Sequence, residues 1–214
     1  MNLKELATSL RDCRLCGLSE GRTQVVFGTG NSNASIMFVG EAPGFHEDKQ
    51  GIPFVGAAGK LLTQLLESAG LSRDEIYIAN VVKCRPPNNR NPLPEEIDTC
   101  QPFLIQQIQL IQPKLVCSLG NFATQTLLGR KVGITKVRGQ VFRLPQFVLF
   151  PLLHPAAALH QGGLLAPLRE DFQKLKAVLE SMEKPERATD TDSTGHPSSS
   201  DSSVSVQPVQ MDLF

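Results

Sequence analysis

Apolar residues concentrate in four short runs. "ASIMFVG" (34–40), "IYIANVV" (76–82) and "KLVCSLG" (114–120) are each too short for a helix and rich in β-branched or aromatic residues, so each predicts a buried strand. "QVFRLPQFVLFPLLH" (140–154) predicts a hairpin that feeds a fourth buried strand. Between these runs the period lengthens. In "AAGKLLTQLLESAG" (57–70), Leu61, Leu62, Leu65, Leu66 and Ala69 share one helical face, and Gly70 suits the C-cap. "PLPEEIDTCQPFLIQQIQLI" (92–111) carries acidic residues in its first turn and predicts a helix, with Pro102 marking where it could break. "LAPLREDFQKLKAVLESME" (165–183) closes the series. Strand–helix alternation of this kind predicts an α/β fold: a three-layer α/β/α sandwich around a central, mostly parallel sheet. Such sheets present their chemistry at the carboxyl ends of the strands. Here those ends are "GEAPG", "NVVKCRPPNNR", "LGNFA" and "LHPAAALH".

The pattern stops near Lys184. "KPERATDTDSTGHPSSSDSSVSVQP" has almost no large apolar side chains and predicts a disordered linker over 184–209, after a single domain over 1–183. The formal net charge of zero hides an uneven spread. From residue 186 onward one arginine faces five acidic residues, whereas the remainder carries twenty basic against sixteen acidic side chains. A mildly basic domain thus precedes an acidic tail. The longest uncharged stretch, 144–168, is broken by prolines and glycines and predicts no membrane helix. The charged N-terminal residues lack the apolar segment of an export signal. A cytoplasmic setting is therefore expected, with cysteines reduced and better read as ligands or core residues than as disulfides.

Five cysteines are present. Cys117 lies inside an apolar run and reads as a small core residue. The other four, Cys13, Cys16, Cys84 and Cys100, are spaced C-x2-C-x67-C-x15-C. Four thiolates can hold zinc or an iron–sulfur cluster. Only one pair is close in sequence, so the spacing leaves open zinc, a cluster, or two unrelated buried thiols.

Three polar residues stand at predicted strand ends. Glu41 follows the first strand, Asn80 interrupts the second, and His154 ends the fourth. A buried Asn must satisfy its amide internally or read a ligand with it. Phe54, between Pro53 and Val55 just before a helix, is placed either to pack in the core or to stack on a ligand near Glu41. Two nucleotide motifs are rejected. "GAAGKL" lacks the hydroxyl residue after Lys60 that a P-loop needs, and "GTGNSN" precedes a strand instead of following one.

"GEAPG" followed by "GIPFVG", together with "NVVKCRPPNNR", "HPAAAL" and the four-cysteine spacing, resembles the family 4 uracil-DNA glycosylases, the iron–sulfur branch of that superfamily. The resemblance covers roughly residues 1–180. It implies an enzyme of base excision repair that flips uracil out of single- or double-stranded DNA and hydrolyses its N-glycosidic bond, leaving an abasic site. In that frame Phe54 stacks on the base and the Asn80 amide pairs with its N3–H and O4. Backbone groups of Glu41, Ala42 and Pro43 line the pocket. His154 donates to O2 of the departing uracil anion. Glu41 orients or activates water and stabilises the positive sugar. Glu47 matches a position that excludes the thymine methyl. Cys13, Cys16, Cys84 and Cys100 match the ligands of a [4Fe–4S] cluster. Lys83, Arg85, Arg90, Lys136 and Arg138 are candidates for phosphate contacts, and Leu159 or His160 for insertion into the DNA gap. Two alternatives are weighed against this. One is a non-catalytic iron–sulfur DNA-binding adaptor. The other is a covalent uracil-capturing relative, which has Gln where this chain has Ala42 and a basic His-bearing insertion that "GRKVGITKVRGQ" lacks.

The last residues, Gln210, Met211, Asp212, Leu213 and Phe214, end a polar segment on apolar side chains. They resemble the peptide that binds the bacterial sliding clamp, which implies a clamp partner, a bacterial source and a location at the nucleoid. The expected enzyme is a monomer.

Overall fold

The computed structural model describes residues 1–183. The expectations for the linker 184–209 and for the peptide 210–214 lie outside the described residues.

Six strands form one sheet: β1 (Thr29–Gly30), β2 (Ile36–Gly40), β3 (Tyr77–Asn80), β4 (Leu115–Leu119), β5 (Phe142–Arg143) and β6 (Val148–Leu152). Their spatial order is β1-β3-β2-β4-β6-β5. The inner four are parallel, and the two-residue edge strands pair antiparallel. The predicted hairpin is the β5–β6 pair. Short antiparallel edges leave little free backbone for unwanted pairing. The sheet was expected from its apolar runs. The edge strand β1 was not, because two residues carry no periodicity.

Nine α-helices are described: α1 (Leu3–Leu10), α2 (Leu18–Gly21), α3 (Phe45–Gln50), α4 (Ala57–Ser68), α5 (Pro94–Ile111), α6 (Gly120–Leu128), α7 (Ile134–Val137), α8 (Pro155–His160) and α9 (Leu165–Glu183). Strand alternation sorts them into two layers. Phe38 and Ile78 face one core with Leu62 and Leu66 of α4 and Leu168 and Phe172 of α9. Met37, Val39, Tyr77 and Ala79 face the other, with Leu104 and Ile108 of α5 and Ala123 of α6. Cys117 is buried within β4, as expected of a core thiol. Helix α5 runs unbroken through Pro102. The carbonyl that Pro102 cannot bond belongs to Asp98, an exposed residue, so water can take it.

Chain order reverses beside β2: β3 lies on one side of it and β4 on the other. In a parallel sheet this reversal opens a crevice at the strand carboxyl ends. β2 ends at Gly40, directly opposite Asn80 at the end of β3. Among the described residues no helix is long and apolar enough to cross a membrane.

Candidate active site and cysteine cradle

The crevice is lined by Glu41, Ala42, Pro43, Gly44, His154 and Ala156 among others. Asn80 and Phe54 close in beneath Gly40. A methyl group on Gly40 would lie 2.4 Å from Asn80 Oδ1 and 2.7 Å from the Phe54 ring, so only glycine lets the two converge. The Phe54 ring stacks on the His154 imidazole at 5.7 Å between centroids. The four residues expected at the site, Glu41, Phe54, Asn80 and His154, are therefore brought together from β2, the α3–α4 loop, β3 and β6.

Each has a distinct electrostatic state. Asn80 is 1% exposed, and its Oδ1 has no hydrogen-bond partner among the described residues. A buried acceptor without a donor is unfavourable, by about 1–3 kcal/mol, unless a ligand supplies one. Burial pushes the Glu41 carboxyl up to about 7. His154 keeps part of its surface open to the crevice, yet burial pulls its pKa down to about 4, against an opposing effect from nearby Glu47. The ring is thus neutral near pH 7. Its Nδ1 accepts the Ala156 N–H at 3.1 Å, at the start of α8. That places the ring proton on Nε2, the nitrogen left to donate to an occupant of the crevice.

Phe54 is held under strain. Its φ is 55°, a left-handed value that a bulky side chain rarely adopts, at a cost of about 1–3 kcal/mol. Arg73 donates to the carbonyls of Pro53 at 3.1 Å and Phe54 at 3.0 Å. Glu47 Oε1 accepts from the N–H groups of Val55 and Gly56 at 3.0 and 2.9 Å. A methyl group on Gly59 would lie 1.9 Å from the Phe54 carbonyl oxygen, so α4 can approach only through glycine. Glu47 therefore sits under the loop that carries Phe54. The sequence motifs pointed to Glu47 but gave no sign of Arg73, a lone charge far along the chain.

The expected phosphate contacts divide. Arg90 lines the crevice and pairs with Glu96 at 2.7 Å, and Arg85 donates to Asn89, another lining residue, at 2.7 Å. Lys136 is exposed. Arg138 is committed to Asp171 at 2.8 Å and to the Pro167 carbonyl. Lys83, three residues past the end of β3, is buried at 2% exposure and is no phosphate contact. Leu159, half exposed, lies in the last turn of α8, whose first turn lines the crevice, and the exposed His160 ends that helix.

Behind the Asn80 strand, Cys13, Cys16, Cys84 and Cys100 line one small cavity with Leu10, Arg22, Lys83 and Phe103. Three separate parts of the chain, the α1–α2 connection, the loop after β3 and α5, thus deliver four thiols to one place, which unrelated thiols would not do. Among the described residues, no three Cys, His, Asp or Glu side chains converge on a single-ion site. Two sulfurs already receive donors: Arg22 Nη1 on Cys84 at 3.3 Å and the Lys83 N–H on Cys100 at 3.3 Å. Burial pushes the Cys84 thiol up to about 11 and Cys100 upward as well.

The fold and site together are an α/β/α sandwich with a carboxylate, an amide and a neutral imidazole at the strand ends. The residues 27–180 match the family model "Uracil DNA glycosylase superfamily". The chain belongs to that superfamily. Within it, the chain is 48% identical over 187 residues to the "Type-4 uracil-DNA glycosylase" of Sulfurisphaera tokodaii, covering 83% of this chain and 84% of that protein. It is 46% identical over 174 residues to the type-4 enzyme of Thermotoga maritima, covering 79% and 91%. With the type-4 enzyme of Archaeoglobus fulgidus the identity is 42% over 182 residues, covering 81% and 92%.

Proposed function

We infer that the chain is a uracil-DNA glycosylase of the type-4 kind, which hydrolyses the N-glycosidic bond of uracil in DNA and leaves an abasic site. The observation that carries this reading is Asn80: a buried amide with an acceptor oxygen lacking a donor, beside a stacking ring and a neutral imidazole. Uracil supplies what that oxygen lacks, an N3–H, while its O4 accepts from the amide nitrogen. Cytosine presents the reverse pattern and would leave both amide groups unpaired.

The residues divide the work as follows. Phe54 stacks on the extruded base, and the backbone of Glu41, Ala42 and Pro43 walls it in. His154 Nε2–H donates to O2 as negative charge leaves with the base. A neutral donor suits this because it does not have to be deprotonated afterwards. Glu41, with its pKa near 7, takes a proton from the attacking water and faces the positive charge that develops on the sugar. Glu47 supports selectivity by fixing the loop that carries Phe54, against which a thymine methyl would have to fit.

The four thiols line one small cavity and are the ligand set that a [4Fe–4S] cluster takes, so they would hold such a cluster there. When bound, that cluster would cross-link the N-terminal segment, the loop after β3 and α5. The bond cleavage itself is assigned to the chain's own residues.

The product of a reaction with uracil-containing single-stranded and duplex DNA tests the function. Abasic sites with multiple turnovers are expected. A denaturation-resistant adduct would mean covalent capture, and binding without product would mean an adaptor; either overturns the reading.

Residues 210–214 add a partner. We propose that they bind the sliding clamp and raise the enzyme's effective concentration at replicating DNA. Deleting 210–214 is expected to abolish retention on immobilised clamp and to leave excision from free oligonucleotides unchanged. Equal retention of the truncated and full-length proteins would refute the assignment.

A further inference from the structure

Lys83 is among the largest fully buried side chains and carries a charge. None of the ion pairs among the described residues includes it. Its Nζ donates to the backbone carbonyl of Asn80 at 2.7 Å and to Gln107 Oε1. Its N–H donates to Cys100 Sγ, and its carbonyl accepts the Val26 N–H at 2.8 Å. Gln107 lies seven residues beyond Cys100 on α5 and is itself anchored by donating from Nε2 to the Phe27 carbonyl at 2.9 Å. Cys84 is its chain neighbour and Cys100 its hydrogen-bond partner, so two of the four cradle cysteines adjoin Lys83.

Two physical requirements meet at this side chain. First, the edge strand β1 pairs with β3 only at Tyr77 and Ile78, so it does not reach the Asn80 carbonyl. That carbonyl is fixed from the side by Lys83. Second, an ammonium buried against two neutral oxygens is strongly unfavourable without a counter-charge. The nearest source of negative charge is the cysteine set, and four thiolates around an iron–sulfur cluster are net negative. With a cluster bound, the cradle would supply the charge that keeps Lys83 inside, and Lys83 supplies the bond that fixes the strand end.

We propose that Lys83 is a positioning residue that couples the cysteine cradle to the uracil-reading amide, holding the Asn80 backbone in place while neutralising part of the cradle's charge. This rests on the four-thiolate cluster reading given above. No part of it places Lys83 in contact with substrate.

The test compares wild-type and Lys83→Met holoproteins by two readouts that do not depend on excision. One is the affinity for free uracil. The other is the rate at which a chelator bleaches the visible absorbance of the cluster. Loss of Lys83 is expected to weaken uracil binding and to accelerate bleaching, each by about tenfold or more. Either readout unchanged overturns the coupling. A wild-type protein with no iron and no visible band would instead overturn the cluster reading, which makes the two failures distinguishable. Should the Lys83→Met protein not accumulate, Gln107→Met removes the other Nζ partner. The same two shifts, smaller in size, are expected there, and an unchanged value of either again overturns the proposal.

Discussion

Glu41→Gln is expected to lower the rate of uracil excision by about three orders of magnitude, within the range that a positioned general base supplies. The wild-type rate should rise about tenfold per pH unit in acid solution and level off above about 7, where the Glu41 carboxylate is ionised. The residual rate of the variant should lack that inflection. His154 contributes no second inflection in this window, because its pKa lies near 4 and the ring stays neutral throughout. The same substitution carries a stability signature of opposite sense. The Glu41 pKa is raised from 4.5 to about 7 in the folded protein, so the native state holds a proton that the unfolded chain releases. Stability associated with that proton is present below about 4.5 and is lost as the pH rises through 7. Glutamine has no charge to bury. The variant should therefore match the wild type in Tm near pH 4 and exceed it at pH 8. Rate profiles and thermal melts of both proteins at those pH values check this. An excision rate close to wild type, or a variant less stable than wild type at pH 8, would contradict the assignment.

Asn80→Ala should lower kcat/KM for uracil in DNA by about a hundredfold, the loss of two hydrogen bonds of about 1.5 kcal/mol each. Discrimination against cytosine should shrink in parallel, because the amide that cytosine would leave unpaired is gone. Unlike most truncations at a fully buried position, this one removes an acceptor that has no partner in the folded protein. The melting temperature should consequently change little. Steady-state kinetics on matched uracil and cytosine oligonucleotides, with a thermal melt of each protein, separate the two effects. A large fall in Tm with unchanged discrimination would make Asn80 a structural residue and remove it from the pocket.

Much of this was legible from the sequence, and the legible parts share a cause. Strands of five apolar residues and a leucine face repeating at helical spacing are local signals, so β2, β4, α4 and α5 could be placed without tertiary information. Glu41, Asn80 and His154 stood out because a polar residue at the end of an apolar run conflicts with simple packing. Their convergence then followed from the rule for parallel sheets. What stayed hidden depends on distant partners. Arg73 reaches back nineteen residues to the Phe54 carbonyl, and no periodicity marks it. Gly40 leaves room for Asn80 and Phe54, a role set by partners forty and fourteen residues away. Lys83 was misjudged as a phosphate ligand because charge in a motif resembles surface charge. Its burial depends on α5 and the cysteine segment folding over it. Glu47, expected to exclude the thymine methyl, accepts the Val55 and Gly56 N–H groups of the loop that carries Phe54, a pairing that no local pattern marks.

The central claim is that this pocket recognises and releases uracil catalytically. Free-base release from oligonucleotides that differ only in carrying uracil, thymine or cytosine at one position, with substrate in excess over enzyme, tests it most directly. More than one equivalent of free uracil per enzyme is expected, with no detectable thymine or cytosine. Release of no uracil, or release of all three bases at similar rates, would contradict it.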